Sequence, residues 1–429
     1  MTSDPQWLIE GRPHMWLPYQ QMKTAPVMPA AVGAQGARIR LHDGRELIDG
    51  VSSWWTACHG YNHPHIRAAV EDQLAKFPHL MLGGFANEPA FRLAKRLADL
   101  LPGDLNHVFL VESGSVSVEV AMKMAMQYFL NRGIEGRTKF ISFTGGYHGD
   151  TFGTMSVCDP EEGMHGLFQG ALLPQHVVDL PRDAESTAAF ERFVAAHAGD
   201  CAAILVEPYA QGAGGFIMHG DETLQTLRRV ADDHDLLLIF DEIMTGFGRL
   251  GPMFVCEGSG VVPDIITLSK ALSGGTLPLA AAIASNKIYD AFYDDDPMKA
   301  LMHGPTYMAN ALACAAANAS LDLFETEPRL EQVAQIEAHL NQSLPALADL
   351  EGVTDIRIRG ALGVVEVKAL HDVNWLKARF VEEGAWIRPF GNVIYIMPPF
   401  VIAPDELSHL TGTMGRVITE WSARYYGGG

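Results

Sequence analysis

Basic residues are scarce in this chain, and the shortage narrows the classes of partner that we expect for it. The 429 residues include 31 lysines and arginines against 51 aspartates and glutamates, which gives a formal net charge of −20. Phosphate groups attract positive charge, so this balance argues against nucleic acid and anionic membrane surfaces as partners. It leaves room for a local basic site that binds a small anion.

Cysteine motifs and long apolar runs are missing as well. The five cysteines lie far apart and include no Cys-x-x-Cys pair, which argues against a disulfide framework and against a zinc site. The N-terminus has no basic region followed by an apolar run, and stretches such as 236–240 are much too short to span a bilayer. We therefore expect no metal, no membrane association and a reducing, cytoplasmic location.

The sequence does contain an alternation of short apolar runs with helical patterns. Helical patterns, such as the one at 222–235, separate runs that are apolar almost throughout, as expected for strands buried on both faces. The alternation predicts an α/β fold in which helices cover a parallel sheet. The predicted strands are 107–111, 139–143, 202–206, 236–240 and 264–268.

The pattern of predicted helices and strands changes after residue 310. An Ala-rich helical pattern and a long amphipathic stretch are followed by a mixture of strand-like and helical runs, which predicts a second, α+β domain. Two strand-like pieces in the first fifty residues fit with this second domain. The predicted organisation is a large domain at 51–320 and a smaller one that combines 1–50 with 321–429.

Residues suited to catalysis or ligand binding follow four of the predicted strands. In open α/β sheets, functional groups gather just past the carboxyl ends of the strands. A lysine in such a place is usually solvated, and an aspartate there is often a helix cap, so each residue alone means little. Their combination is what indicates a function. The residues are Gly114, Ser115, Tyr147, Asp241 and Lys270.

These residues meet the needs of an enzyme that uses pyridoxal 5′-phosphate (PLP). Lys270 is suited to bond to the cofactor and to shuttle a proton. Asp241 is suited to pair with the pyridine nitrogen, so that the ring can accept carbanion charge. Backbone N–H groups at Gly114 and Ser115 begin a helix and suit the phosphate. Tyr147 offers an aromatic ring that can stack on the pyridine.

The motifs around these residues resemble the class III aminotransferases of PLP fold type I. The matching segments are 112–115 (ESGS), 145–149 (GGYHG), 207–208 (EP), 240–249 (FDEIMTGFGR), 263–275 (PDIITLSKALSGG) and 303–307 (HGPTY). Other segments resemble, within that class, the 7,8-diaminononanoate synthases of biotin biosynthesis. These are 14–19 (HMWLPY), 52–55 (SSWW), 388–391 (RPFG) and 395–399 (YIMPP). The resemblance implies a mostly parallel, seven-stranded sheet and a homodimer with shared active sites.

The resemblance also implies a role for each matching residue. The catalytic residues would be Lys270, Asp241 and Tyr147. Residues that would hold PLP are Gly114, Ser115, Tyr147, Asp241, Lys270, Pro305 and Thr306, of which Thr306 would reach the phosphate from the neighbouring subunit. Residues that would bind the substrates are Tyr19, Trp54, Tyr147, Gly304, Arg388 and Tyr395. Asp150, Glu207 and Arg249 would contact the residues that line the pocket and not the ligands themselves.

The implied reaction transfers an amino group from S-adenosylmethionine to 8-amino-7-oxononanoate. Tyr395 favours this donor, because a tyrosine there resembles the members that use S-adenosylmethionine and a phenylalanine resembles those that use lysine. The alternatives are the lysine-dependent version of this step and another class III activity, such as ω-amino-acid:pyruvate transamination. A non-enzymatic sensor in a transcription regulator is a third reading, but it needs a DNA-binding domain and basic surface, for which the chain has neither room nor charge.

Some of these residues also have ordinary structural interpretations. If 52–55 is a strand, the adjacent Trp54 and Trp55 face opposite ways, and one of them belongs to the core. Tyr395 has a structural alternative as a buried anchor of its loop. His148 is expected to be a structural, hydrogen-bonded histidine, because the clustered ligands of a metal site are missing around it.

Overall fold

The computed structural model describes residues 4–160 and 166–427, and the chain divides into two compact units. Residues 64–334 form the large unit, and residues 1–63 together with 335–429 form the terminal unit. Both boundaries lie later than the predicted 50 and 320. At the first, Gly50 and Cys58 accept backbone hydrogen bonds from Met397 and Phe400 of the same unit. At the second, one continuous helix, Arg329–Ser343, crosses the boundary.

Among the described residues, seven strands form the main sheet of the large unit. Every neighbouring pair is parallel, except that the second strand runs antiparallel to both of its neighbours. This confirms the α/β fold with a mostly parallel sheet of seven strands. Their spatial order is Leu105–Val111, Ala280–Ser285, Ile265–Leu268, Leu237–Asp241, Cys201–Val206, Lys139–Phe143 and His176–Val178.

Five of these strands coincide, within two residues at either end, with the predicted apolar runs. The other two, Ala280–Ser285 and His176–Val178, were not predicted. The first consists mostly of alanine, which is a weak strand former, and the second has only three residues. Their conformation depends on hydrogen bonds to neighbouring strands, which local sequence does not reveal.

Helices lie between the strands of the large unit. Helix Gly114–Asn131 shows why they pack, because Val118, Ala121, Ala125 and Phe129 recur every three or four residues and are all fully buried. The helices are Pro64–Lys76, Glu88–Leu100, Gly114–Asn131, Phe152–Ser156, Ala184–His197, Asp221–Asp233, Val255–Ser259, Asn286–Asp290 and Ala311–Thr326. Shorter elements are the 3-10 turns Gly166–Ala171, Lys270–Ser273 and Pro297–Lys299 and the paired strands Ala210–Gln211 and Ile217–Met218.

The described part of the terminal unit is α+β and combines segments from the N-terminal and C-terminal parts of the chain. Strand Glu46–Asp49 pairs in parallel with Ala385–Trp386, which joins the two ends in one sheet. That sheet contains Ala31–Gln35, Arg38–Leu41, Glu46–Asp49 and Ala385–Trp386, and an antiparallel sheet contains Val353–Arg359, Leu362–Val367 and Val393–Ile396. Helical segments are Gln6–Gly11, Arg12–His14, Pro345–Asp349, Val373–Glu382 and Pro404–Tyr425.

Two features bear on the expectations about crosslinks and membranes. All five cysteines fall within the described segments, where each is buried and none forms a disulfide. Of the helices in residues 4–160 and 166–427, none combines the length and the apolar content needed to cross a lipid bilayer.

Candidate active site

The carboxyl ends of two adjacent parallel strands bring Asp241 and Lys270 to the same edge of the main sheet. Asp241 ends strand Leu237–Asp241 and lies in register with Thr267 of the next strand. Lys270 follows that next strand and has a φ of 44°, a left-handed value that is unfavourable for a residue with a side chain. Backbone strain of this kind concentrates at functional sites. We refer to this group of residues as the lysine centre.

Asp241 is buried and its carboxylate is held from both sides. Its Oδ2 lies 2.8 Å from Nδ1 of His148, which is also buried. Its Oδ1 accepts a hydrogen bond from the backbone N–H of Ile243 at 3.1 Å and lies 3.4 Å from the hydroxyl of Thr267. His148 is hydrogen-bonded, as predicted, but sequence reasoning missed that its partner is Asp241. The available signal was the Gly-Gly-Tyr-His sequence at the end of a strand of the same sheet.

Glu207 adds a second buried carboxylate to the lysine centre. It follows strand Cys201–Val206 and accepts hydrogen bonds from the backbone N–H groups of Tyr147 at 3.0 Å and of Gly212 at 2.9 Å. Burial raises the pKa of Glu207 to about 7, and the nearby charge of Asp241 adds to the effect. Through its hydrogen bond to the N–H of Tyr147, Glu207 fixes the backbone that carries this residue.

The electrostatic surroundings of Lys270 shift its protonation toward the neutral amine. Burial lowers the pKa of Lys270 to about 8, although the carboxylates of Asp241 and Glu207 act in the opposite direction. The guanidinium of Arg249, which is almost completely buried, lowers the pKa further. An amine with such a pKa is present in both protonation states near neutral pH, which suits acid–base catalysis.

The N-terminus of helix Gly114–Asn131 has the features of an anion site. The side chain of Ser113 caps the helix by accepting a hydrogen bond from the backbone N–H of Val116. At Gly114, a Cβ atom would lie 3.0 Å from the side chain of Ile243, so there is little room for a larger residue. The hydroxyl of Ser115 accepts a hydrogen bond from the backbone N–H of Asp150 at 3.1 Å. Unpaired N–H groups and the helix dipole favour a negative group at such an end.

The structure gives the positions of the other predicted residues of the large unit, but it does not test their roles. Tyr147 is partly buried, whereas Asp150 is exposed. Gly304 and Thr306 lie in an exposed loop, in which the carbonyl of Thr306 accepts a hydrogen bond from Nε2 of His79 at 2.9 Å. The role of Thr306 across a subunit interface stays a prediction.

The terminal unit contains a second group of predicted residues, which we call the Trp54–Arg388 site. The Cζ atom of Arg388 lies 4.4 Å from the ring centroid of Trp54, and the ring of Tyr19 meets Trp54 edge to face at 6.2 Å. Arg388 is partly buried, and no ion pair or hydrogen bond to another described residue satisfies its guanidinium. Trp54 and Arg388 both line a cavity of about 680 Å³. An unpaired guanidinium in a cavity is suited to bind a carboxylate.

The backbone that carries Trp54 is a left-handed turn rather than a strand. The φ angles of Ser52, Ser53, Trp54 and Trp55 are 48°, 47°, 56° and 73°. A residue with a side chain in such a conformation costs about 1–3 kcal/mol, so the surroundings must hold the turn in place. Trp55 is buried, whereas Trp54 is 42% exposed. One tryptophan thus belongs to the core, as expected, but the turn separates them instead of strand alternation.

Tyr395 lies deep in the terminal unit. Its side chain is 1% exposed, and its hydroxyl accepts a hydrogen bond from Nε1 of Trp55 at 3.3 Å. Its ring meets Phe390 edge to face at 5.5 Å. These contacts fit the structural interpretation of Tyr395, while its electrostatic interaction with Arg388 connects it to the predicted substrate site.

The fold and the lysine centre together define the class of protein. A mostly parallel sheet with a partly buried lysine and two buried carboxylates at its carboxyl edge is the arrangement of an α/β protein that binds its ligand at the strand ends. The chain belongs to the aminotransferase class-III family, whose sequence model matches residues 19–418. This confirms the resemblance seen in the motifs.

Individual relatives match the chain over nearly its whole length. It is 44% identical over 413 residues to the adenosylmethionine-8-amino-7-oxononanoate aminotransferase of Mycobacterium leprae (strain TN), with 94% of each chain covered. The crystal structure of the enzyme of that name from Methanocaldococcus jannaschii DSM 2661 is similar with a TM-score of 0.91 and 34% identity, covering 97% of this chain and 98% of the other. An amine transaminase from an uncultivated Pseudomonas species, solved in its PLP-bound form, has a TM-score of 0.89 and 31% identity over 95% and 98% of the two chains.

Proposed function

We propose that this chain is a PLP-dependent aminotransferase that transfers an amino group from S-adenosylmethionine to 8-amino-7-oxononanoate, giving the 7,8-diaminononanoate of biotin biosynthesis. The observation that carries the aminotransferase assignment is Lys270, an amine with a lowered pKa beside two buried carboxylates at the ends of parallel strands. The substrate pair is supported by relatives whose names state it, among them one that is 42% identical from Corynebacterium glutamicum.

The side chains of the large unit fit PLP. Lys270 would attach the cofactor, Asp241 would face its pyridine nitrogen, and Tyr147 would stack on its ring. The helix N-terminus at Gly114 and Ser115 would bind its phosphate. Bound PLP supplies an electron sink for the charge that develops when a C–H bond of the amino substrate breaks.

Lys270 is the residue that we assign to proton transfer. Because its pKa lies near neutral pH, its neutral amine can take a proton from one carbon of the substrate and its ammonium can return the proton to another. The carboxylates of Asp241 and Glu207 keep the ammonium form accessible despite burial. The positive charge of Arg249 limits this effect and keeps the neutral amine populated.

Asp241 would hold a proton on the pyridine nitrogen, because a fixed carboxylate stabilises the protonated ring. His148 and the backbone N–H of Ile243 keep this carboxylate in a single orientation. Glu207 supports the same face of the site by fixing the backbone of Tyr147. Asp150 supports the phosphate side, because its backbone N–H orients the hydroxyl of Ser115.

The Trp54–Arg388 site would bind the carboxylate of the acceptor. The planar guanidinium of Arg388 can donate two parallel hydrogen bonds, and no described side chain accepts them. Trp54 keeps the guanidinium in place by stacking on it. The cavity volume of about 680 Å³ lies within the range of small-molecule sites, about 300–1,000 Å³. The aromatic rings of Tyr19 and Trp54 suit both the alkyl chain of the acceptor and the sulfonium of the donor. Gly304 and Tyr395 complete the proposed set of substrate residues.

We also propose a homodimer in which Thr306 and Pro305 of one subunit complete the phosphate site of the other. A hybrid dimer tests this arrangement. One protomer carries Lys270→Ala and the other carries Thr306→Asp, so the hybrid contains one intact site only if Thr306 acts across the interface. We expect the hybrid to be much more active than either parent homodimer, and a hybrid as inactive as both parents contradicts shared sites.

Product analysis tests the whole assignment. The PLP-loaded protein is incubated with 8-amino-7-oxononanoate and one donor at a time, and 7,8-diaminononanoate is measured by mass spectrometry. We expect product with S-adenosylmethionine and little with lysine or with ω-amino acids. Product with lysine alone would support the lysine-dependent alternative. Amino transfer only between ω-amino acids and pyruvate would support the broader class III activity.

A further inference from the structure

Asp49 is a fully buried carboxylate outside the lysine centre. It ends strand Glu46–Asp49 in the terminal unit, and it forms no ion pair with a basic side chain among the described residues. Its oxygens instead accept hydrogen bonds from the backbone N–H of Val51 at 2.8 Å, the backbone N–H of Ser53 at 3.2 Å and the hydroxyl of Tyr61 at 2.5 Å. A buried carboxylate is unfavourable unless such bonds satisfy it, so Asp49 and its three donors hold one another in place.

The partners of Asp49 lie at the start of the left-handed turn. Val51 precedes the turn, and Ser53 is its second residue. The hydroxyl of Tyr61 also lies 2.6 Å from the hydroxyl of Ser53, which ties the same residue to the carboxylate a second time. At the other side, the hydroxyl of Ser52 donates to the carbonyl of Met397 at 2.7 Å. The hydrogen bonds of Asp49 thus offset the strain of the backbone that they hold.

The left-handed turn determines where the ring of Trp54 lies. Trp54 is 42% exposed, so packing around its own side chain constrains it only in part. Its ring nevertheless covers the guanidinium of Arg388 at 4.4 Å. If the turn relaxed to an ordinary right-handed or extended conformation, the Cα–Cβ bond of Trp54 would point in another direction. The stacking on Arg388 therefore depends on the turn, and the turn depends on Asp49.

We propose that Asp49, assisted by Tyr61, is a positioning residue that holds the left-handed turn and thereby sets the affinity of the Trp54–Arg388 site for a carboxylate with an apolar chain. Asp49 does not touch the ligand. This inference rests on the proposed function, because it assigns an additional determinant to the same acceptor site.

The chemistry of the three donors explains why the residue is an aspartate. A carboxylate only accepts hydrogen bonds, and here both of its oxygens face donors. An asparagine has the same shape but offers one acceptor oxygen and one NH2 group. In Asp49→Asn the NH2 group must face at least one N–H or O–H donor, so the turn loses at least one hydrogen bond and gains a repulsive contact. Tyr61→Phe is milder, because it removes only a hydroxyl.

Calorimetric binding of heptanoate to the PLP-loaded protein tests the proposal, with methyl heptanoate as the uncharged control ligand. We expect Asp49→Asn and Tyr61→Phe to raise the Kd for heptanoate about tenfold, the range of a lost cation–π contact, without changing the weak binding of the ester. In turnover, the KM for 8-amino-7-oxononanoate rises by a similar factor, and the half-reaction with the donor, which does not use Arg388, changes much less. Tyr425→Phe is the matched control, because Tyr425 makes the same kind of hydroxyl–carboxylate bond, to Asp372 at 3.1 Å.

The results separate this proposal from the proposed function. Unchanged Kd in both variants, together with lost heptanoate binding in Arg388→Met, would overturn the positioning role and leave the acceptor site intact. If the unaltered protein does not distinguish heptanoate from its ester, both the positioning role and the assignment of Arg388 are overturned. If Asp49→Asn fails to fold, Tyr61→Phe decides the question alone, because an unchanged Kd in that variant contradicts the proposal.

Discussion

The lysine centre of the large unit and the Trp54–Arg388 site of the terminal unit are built in different ways. At the lysine centre, Asp241 ends one regular parallel strand and Glu207 follows another, and hydrogen bonds hold both carboxylates. At the Trp54–Arg388 site, a strained left-handed turn carries the aromatic ring, and the guanidinium has no charged partner among the described residues. The carboxylates of the lysine centre have partners within the protein, whereas the guanidinium of the Trp54–Arg388 site is left for a ligand.

This difference leads us to expect different consequences of mutation. The groups of the lysine centre would take part in bond breaking and in holding the cofactor, so their loss removes the chemistry itself. At the Trp54–Arg388 site, Arg388 would bind the carboxylate of the acceptor alone, so its loss weakens binding of the acceptor and affects the donor half of the reaction much less. Substitutions at either site, and the pH dependence of Lys270, therefore test this division.

Lys270→Ala tests the lysine centre most severely. We expect turnover to fall by at least about 10³-fold, because both the attachment of the cofactor and the proton shuttle are lost. The visible absorbance of the loaded protein should disappear as well. Lys95→Ala, which removes an exposed lysine paired with Asp99, is the matched control and should keep both properties. A Lys270→Ala variant that keeps its absorbance and its activity would contradict the assignment.

Arg388→Met tests the Trp54–Arg388 site. Leaving a desolvated carboxylate without its guanidinium costs about 2–5 kcal/mol, so we expect the KM for 8-amino-7-oxononanoate to rise by about thirtyfold or more. The rate of the half-reaction with the donor should change much less. Arg388→Lys retains the charge but loses the two-pronged geometry, and its effect should be intermediate. Equal damage to both half-reactions would show that Arg388 has a structural role instead.

The pH dependence of cofactor capture tests the electrostatics of Lys270. Only the neutral amine bonds to the cofactor, and burial lowers the pKa of Lys270 from 10.5 to about 8. Below this pKa the amine is protonated, so the capture rate should rise about tenfold per pH unit as the pH increases and should level off above pH 8. Absorbance measured by stopped flow on the cofactor-free protein gives this profile. A rate that continues to rise up to pH 10 would contradict the lowered pKa.

Tyr395→Phe has the smallest predicted effect and tests whether Tyr395 belongs to the substrate site or only to the core. Losing its hydroxyl leaves Nε1 of Trp55 without this acceptor, which costs about 1–3 kcal/mol of unfolding free energy. We expect the half-reaction with S-adenosylmethionine to slow by a small factor and the acceptor half-reaction to change less. A loss of stability with both half-reactions unchanged would favour the structural interpretation.

The two sites also differ in how far the sequence predicts them. The lysine centre was predictable, because apolar runs mark the strands and functional residues follow strand ends. The pairing of His148 with Asp241 was missed, since the two residues come from strands that are not adjacent in sequence. Residues of the Trp54–Arg388 site were identified only through the family resemblance.

Local sequence did not reveal the geometry of the second site. The segment 52–55 has the composition of a strand, and its left-handed conformation depends on Asp49, Tyr61 and Met397, which lie outside it. The antiparallel strand Ala280–Ser285 was missed for a similar reason, since its alanines become a strand only between two neighbours. Long-range hydrogen bonds thus account for what the sequence pattern left out.

The donor half-reaction tests the central claim most directly. The PLP-loaded protein is mixed with a single donor in the absence of acceptor, and its visible absorbance is followed with time. We predict that S-adenosylmethionine removes this absorbance, that lysine does not, and that 8-amino-7-oxononanoate added afterwards restores it. A spectrum that changes with lysine and is unaffected by S-adenosylmethionine would contradict the donor, and a spectrum that no amino donor changes would contradict the aminotransferase itself.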